Sequence, residues 1–415
     1  MSYRDRSRRE PVMPRIIKLE VSEKNIRGRL IGVVILLAIA FTAIGVAVKG
    51  VFTTDPGWKS MECYADMVTY KDDFVFNYYL GSEGDATAEE RAINAVYSAG
   101  MEDAYRFFTD QALEDGTRNL AYLNEHLNEK VTIEHALYCA LEKLETAGIR
   151  YAYLAPVYVE YQPVFLSRNT SEAAVFDPMR NTDLLPYVQE AAAFANDPAH
   201  IRLELLGDDQ VRLWVSEEYE AFLQTYEVDT VLDLNWMTNA FICDYVADLL
   251  IQNGFTKGVI ASYDGFTRNL GGLEEEFRFN LFNRVEQSCE LAGSLAYKGL
   301  FSCVYLRDYP MSEDDRWHYM AYEDGAITSV YLDPADGMSK SAVTDLVVYA
   351  ADKSCAELLT IAAPAMIART LDTQALTDTD GVGAIWSVGR TLIHTRPDAS
   401  IHLAEGAGYT CEAAE

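Results

Sequence analysis

The chain has 415 residues, 49% of them apolar, so it can bury a sizeable core, and its formal net charge is -30 at pH 7. The charge is uneven: ten Lys/Arg face four Asp/Glu through Lys49, which leaves 24 basic and 60 acidic residues in the remainder. So acidic a surface repels nucleic acid, and a DNA or RNA partner is excluded.

Residues 1–29 form a basic segment that includes Arg4, Arg15, Arg27 and Arg29. Leu30 to Val48 is a run of 19 residues without a charge. That is about one bilayer crossing, and residues 30–52 are read as a transmembrane anchor. The basic flank places the N-terminus in the cytoplasm and the acidic remainder outside it. The expected protein is therefore a single-pass protein of the cell membrane, in contact with the lipid bilayer through residues 30–52. Residues 53–60 read as a short linker with Pro56 and Gly57.

Residues 61–80 carry strand-like runs, including Phe74, Phe76, Tyr78 and Leu80. Residues 89–109 read as a helix with Ala92, Ala95, Val96, Met101, Ala104, Tyr105 and Phe108 inward. A second helix covers 132–147. Residues 151–165 show no clear period, and 169–182 read as a loop. A helix at 183–194 tolerates Pro186 in its first turn. Strands at 201–206 and 211–215 flank the turn Gly207-Asp208-Asp209.

Residues 230–265 read as strand, loop, helix, strand. Val231, Leu232 and Leu234 form the first apolar run. Phe241, Tyr245 and Leu249 recur at helical spacing, and Gly254 supplies a stop. A loop ahead of such a helix offers backbone N–H groups to a phosphate. Strands follow at 277–282 and 299–306. Asp324-Gly325 marks a hairpin within 316–332. Residues 352–369 form a helix ended or kinked by Pro364. A last hairpin spans 383–387 and 390–394, and 406–415 is a tail. The fold class is α+β, as a single domain over residues 61–405. The seven cysteines contain no CxxC pair, which argues against a zinc site or a disulfide framework.

No hydrolase elbow, P-loop, HExxH or helix-opening GxGxxG is present. Three patterns remain. The first is Leu232-Asp233-Leu234-Asn235-Trp236-Met237-Thr238-Asn239, continuing to Asp244, with Asp264-Gly265 ending the next strand. The second is Ser329-Val330-Tyr331-Leu332-Asp333-Pro334-Ala335-Asp336-Gly337. The third places Ala356 and Thr360 four apart on one helix face, with Glu357 beside them. Each has a plain structural reading: Asp333-Pro334 and Gly337 make a turn, Thr360 bonds its own helix, and Asp233 and Asp244 cap or face solvent.

Taken in order, these patterns resemble the ApbE-like family of FAD:protein FMN transferases (T-fold-related), which carry segments such as LDLGGIAKGYAVD and HHIxDPxTGxP. The resemblance implies a membrane-tethered, extracytoplasmic domain. It implies FAD as substrate, Mg2+ as metal, and an exported acceptor flavoprotein as partner. It implies catalytic roles for Ser329 and Asp333, and cofactor contacts from Asp233, Asp244, Asp264, Gly265 and Gly337. It implies a metal held by Thr360, with Glu357 as substitute carboxylate. The family's glycine pair is Asn235-Trp236 here, its lysine Asn239, its histidines Ser329 and Val330, and its metal aspartate Ala356. Two functions follow: a transferase with an altered or impaired site, or a catalytically inactive module that binds flavin or protein at the cell envelope.

Overall fold

Phe74, Phe76, Tyr78 and Leu80 are all buried, while Val75, Asn77 and Tyr79 between them are not. That period of two fixes one face of strand β2 (Phe74–Leu80) against the core. The computed structural model describes residues 54–65, 68–69, 71–81, 84–286, 288–311 and 316–414. The expected basic segment and membrane span lie outside them. Among the described residues no helix is long and apolar enough to cross a membrane.

Among the described residues nine strands form the main sheet: β1 (Gly57–Ser60), β2, β6 (Gly258–Ser262), β7 (Phe266–Leu270), β10 (Leu300–Arg307), β13 (Asp345–Ala350), β14 (Gly383–Val388), β15 (Thr391–His394) and β17 (Thr410–Ala413). That sequence of strands is also their order across the sheet. Neighbours are antiparallel except β15 and β17, which run parallel.

The helices are α1 (Ala86–Phe108), α2 (Leu120–Glu125), α3 (His135–Thr146), α4 (Ala155–Leu166), α5 (Thr170–Phe176), α6 (Leu185–Asn196), α7 (Glu217–Tyr226), α8 (Thr238–Gln252), α9 (Cys355–Met366) and α10 (Thr373–Thr377). Helix α8 packs on α1, β6 and β7, and α9 on β10 and β13. A second sheet of β8 (Glu276–Val285), β9 (Ser288–Lys298) and β16 (Ser400–Leu403) covers the opposite face. Strand β10 shows why both covers are needed. Val304 and Leu306 enter the helix-side core, whereas Cys303 and Tyr305 enter the core shared with Leu281 and Leu295. A third sheet joins β3 (Val131–Thr132), β5 (Gln210–Val215) and β4 (Ile201–Gly207). The hairpin around Asp324-Gly325 forms β11 (Tyr319–Ala321) and β12 (Ile327–Ser329), as its turn signal predicts.

Several expectations need correction. The linker at 53–60 contributes β1, paired with Asn77–Leu80. The expected tail contributes β17, with Cys411 opposite Leu392. Residues 151–165 are largely helix α4, nearly apolar all round, so burial on several sides erases the amphipathic period. Residues 169–182 contain α5, capped by Asn169, whose side chain accepts from Glu172 N–H. On α1 the buried stripe runs through Ile93, Tyr97, Met101, Ala104 and Phe108, and Ala92 and Ala95 face solvent.

Val231, Leu232 and Leu234 are buried but belong to no strand. The side chain of Asn124 takes the place of a neighbouring strand. Its Oδ1 accepts from Val231 N–H at 3.1 Å and Leu232 N–H at 3.0 Å, and its Nδ2 donates to the Leu232 carbonyl at 2.8 Å. Asn124→Ala leaves two buried backbone donors and one acceptor without partners. It should lower the unfolding free energy by about 3 kcal/mol. Urea unfolding checks this, and a loss under about 1 kcal/mol would show that water satisfies the segment instead.

Candidate functional site

The segment before α8 builds a cleft. Asp233 is held by its N–H, which donates to the Ala152 carbonyl at 2.9 Å. Asn235 adopts φ 50, in the left-handed region that a glycine enters freely and that asparagine tolerates best among other residues. Trp236 follows, buried, with its indole N–H donating to Tyr158 Oη at 2.8 Å. Its ring meets Tyr331 edge-on at 5.0 Å. Trp236 lines two adjoining cavities of about 260 and 300 Å³, which also share Asp110, Asp233, Asn235 and His318. Tyr158, Val159 and Phe165 of α4 complete the first; Tyr105, Phe108, Asn239 and Asp264 help to complete the second.

Burial and the neighbouring Asp110 push the Asp233 carboxyl up to about 7, against the pull of the Asn235 and Leu234 amides. Asp264 stands at the turn between β6 and β7. Burial raises its carboxyl above the usual range, and His318 pulls the other way. Its Oδ2 accepts from Asn239 Nδ2 at 2.9 Å, and the Ser262 hydroxyl and the Arg307 charge also favour its ionised form. Gly265 has φ 112, and a Cβ there would fall 2.1 Å from the Tyr305 carbonyl oxygen, so this glycine serves the turn.

Of the residues expected at a site, the cleft brings together Asp233 and Asp264. The others are occupied elsewhere. Asp244 is buried in α8 and accepts from the N–H groups of Cys355 at 2.8 Å and Ala356 at 2.9 Å, at the start of α9. Arg268 NH1 lies 3.3 Å from it. Ser329 is buried, its N–H donating to Ser339 Oγ at 2.9 Å. Asp333 accepts from Lys340 Nζ at 2.6 Å and from Ala335 N–H at 2.9 Å, bracing a turn. Gly337 has φ 71, and a Cβ there would lie 2.7 Å from Val188 Cγ1. Glu357 forms a capping box with Ser354, and Thr360 donates its hydroxyl to the Glu357 carbonyl at 2.7 Å. The expected metal donors are thus turned to their own helix. Among the described residues no group of three or more His, Cys, Asp or Glu could hold a metal ion. Asp110 and His318 went unrecognised in the sequence, since each reaches the cleft from a remote segment with no local motif.

A larger cavity of about 630 Å³, lined in part by Arg284, Tyr309 and Tyr322, shares no lining residue with this cleft.

No family profile and no curated protein matches the chain. Among solved structures, the ApbE protein of Thermotoga maritima superposes with a TM-score of 0.54 at 12% identity, covering 84% of this chain and 97% of that one. The chain has the ApbE fold. The flavin transferase ApbE of Vibrio cholerae agrees, with a TM-score of 0.52 at 14% identity over 80% of this chain and 93% of that one. Identities this low carry the ApbE fold and leave activity to the residues. Asn235 has a left-handed backbone and Trp236 beside it is a buried ring, at the two positions where the sequence resemblance expects a glycine pair.

Proposed function

We propose that this chain is an ApbE-like binding module of the cell envelope that does not transfer FMN. One observation carries the reading. The titratable residues lining the cleft are Asp73, Asp110, Asp233 and Asp264, with His318, and no Lys or Arg is among the described lining residues. Two like charges 4 Å apart repel by about 4 kcal/mol at an effective dielectric of 20. A flavin diphosphate in this cleft would meet such repulsion without a lysine or a metal to offset it. Asn239 stands where the lysine would, and Ala356 where the metal carboxylate would. The described residues do not fit Mg2+: Glu357 and Thr360 are turned to their own helix and no group of carboxylates converges on one point.

A second reading, an FAD:protein FMN transferase acting on an exported acceptor flavoprotein, is favoured by the fold and by the backbone conformation kept at Asn235. In both readings residues 30–52 tether the domain to the membrane, with the C-terminal domain outside. The deciding experiment incubates the protein with FAD, Mg2+ and an ApbE acceptor flavoprotein. The expected result is no AMP above the protein-free blank; AMP release with covalently attached FMN would establish the transferase.

A further inference from the structure

We propose that the cavity between the β8–β9 turn and the β11–β12 hairpin binds a small zwitterion of the amino-acid class, with a carboxylate, an ammonium group and an apolar side chain. The inference is independent of the cleft and of whether FMN is transferred there. The cavity measures about 630 Å³, within the size range of small-molecule sites. Its apolar lining includes the buried Tyr309 ring, Pro310 and Ile327. Arg284 of β8 is the only Lys or Arg among its described lining residues.

The Arg284 guanidinium carries the argument. It is half-buried, 5.9 Å from the centre of the Tyr309 ring. Among the described residues it makes no hydrogen bond and no ion pair. Its charge reaches Asp308, where burial raises the carboxyl and Arg284 pulls it back, yet Asp308 Oδ1 has no hydrogen-bond partner. A guanidinium holds its N–H donors in a planar fork that a carboxylate meets with two parallel bonds. Elsewhere the chain supplies that carboxylate itself, as Asp398 does for Arg396 with two bonds of 2.9 Å. At Arg284 a ligand carboxylate can do so. Two exposed glutamates, Glu286 and Glu323, line the same cavity from the turns of the two hairpins.

One positive and two negative groups around an apolar lining select among ligands. A phosphate or dicarboxylate satisfies Arg284 but meets both glutamates. An alkyl ammonium suits the glutamates but leaves the guanidinium without an acceptor. A neutral apolar molecule satisfies neither charge. An amino acid places its carboxylate on Arg284, its ammonium by a glutamate and its side chain against Tyr309, Pro310 and Ile327. A short peptide presents the same two end groups.

The test is calorimetric titration of the full chain in neutral detergent with L-leucine and, separately, with leucyl-leucine, the two sources of this chemistry. Saturable one-to-one binding is expected from at least one, and the tighter of the two names the source. Isoamylamine and isocaproate each keep the leucine side chain and one of its two charges. Each should bind at least tenfold more weakly. Arg284→Gln should weaken the zwitterion at least tenfold. Combining Glu286→Gln with Glu323→Gln should weaken it similarly while strengthening isocaproate, because only repulsion is removed for the lone carboxylate. Both glutamates are exposed, so this pair keeps the test decisive if Arg284→Gln fails to fold, which circular dichroism reports. Absence of binding by both zwitterions, isocaproate binding as tightly as leucine, or an unchanged affinity in the folded variants overturns the proposal.

Discussion

Replacing Asp244 with alanine is expected to lower the unfolding free energy by about 3–5 kcal/mol, the range seen when one partner of a buried ion pair is removed. The carboxylate serves two purposes at once. It accepts two N–H groups at the start of α9, where the first backbone donors have no partner within their own helix. It also faces Arg268, whose side chain is only 14% exposed. The alanine variant leaves both amides bare and the guanidinium with one carboxylate, Asp248 at 2.8 Å, and the residue 244 carbonyl at 3.4 Å. Adding Arg268→Met to Asp244→Ala should recover part of the loss, because the uncompensated buried charge goes with it. Urea unfolding of the four proteins forms the cycle. A loss below about 1 kcal/mol in the single variant would mean that Asp244 is not what joins α8 to α9.

Stability should also fall as pH rises from about 4 to about 7. Burial pushes both Asp233 and Asp345 up to about 7, and Asp308 up to about 6. An acid raised in the folded state holds its proton where the unfolded chain has released it. The folded form therefore binds more protons across this window, and the unfolding free energy declines with pH. For a carboxyl moved from 3.8 to about 7 the decline is on the order of 4 kcal/mol. Asp345→Asn removes that titration while keeping an oxygen for the Ser387 hydroxyl, which now donates to Oδ1 at 2.9 Å. The variant should gain stability at pH 8 and gain little at pH 4. A flat or rising profile for the parent protein between these values would refute the assignment.

The sequence made the periodic elements readable. Alternation marked β2, four-residue spacing marked α1 and α8, and Asp324-Gly325 marked its hairpin. Failures came where a different partner supplied the missing contact. Helix α4 is buried on several sides and has no polar face to reveal its period. The run Val231–Leu234 looks like a strand because it is apolar, yet a single asparagine 108 residues before Leu232 satisfies its amides. Asp244 reads as a ligand in sequence, whereas its hydrogen-bond partners lie 111 and 112 residues later. The cleft was half legible. Asp233 and Asp264 belong to the patterned segment, but Asp110 and His318 are brought in only by the packing of α1 and the turn before β11.

The main sheet grows from one edge to the other in the order in which a ribosome delivers its strands. Each new strand can therefore add to the exposed side of the one before it, and no strand has to be inserted between two that are already joined. The cost falls on the last pair of strands. Thr391–His394 presents its open side until Thr410–Ala413 arrives to cover it. An unpaired strand edge is a template for other chains. A product ending just short of Thr410 would have nearly all of its core and yet be prone to self-association, so proteolytic clipping just before Thr410 is a route to aggregation rather than to simple unfolding.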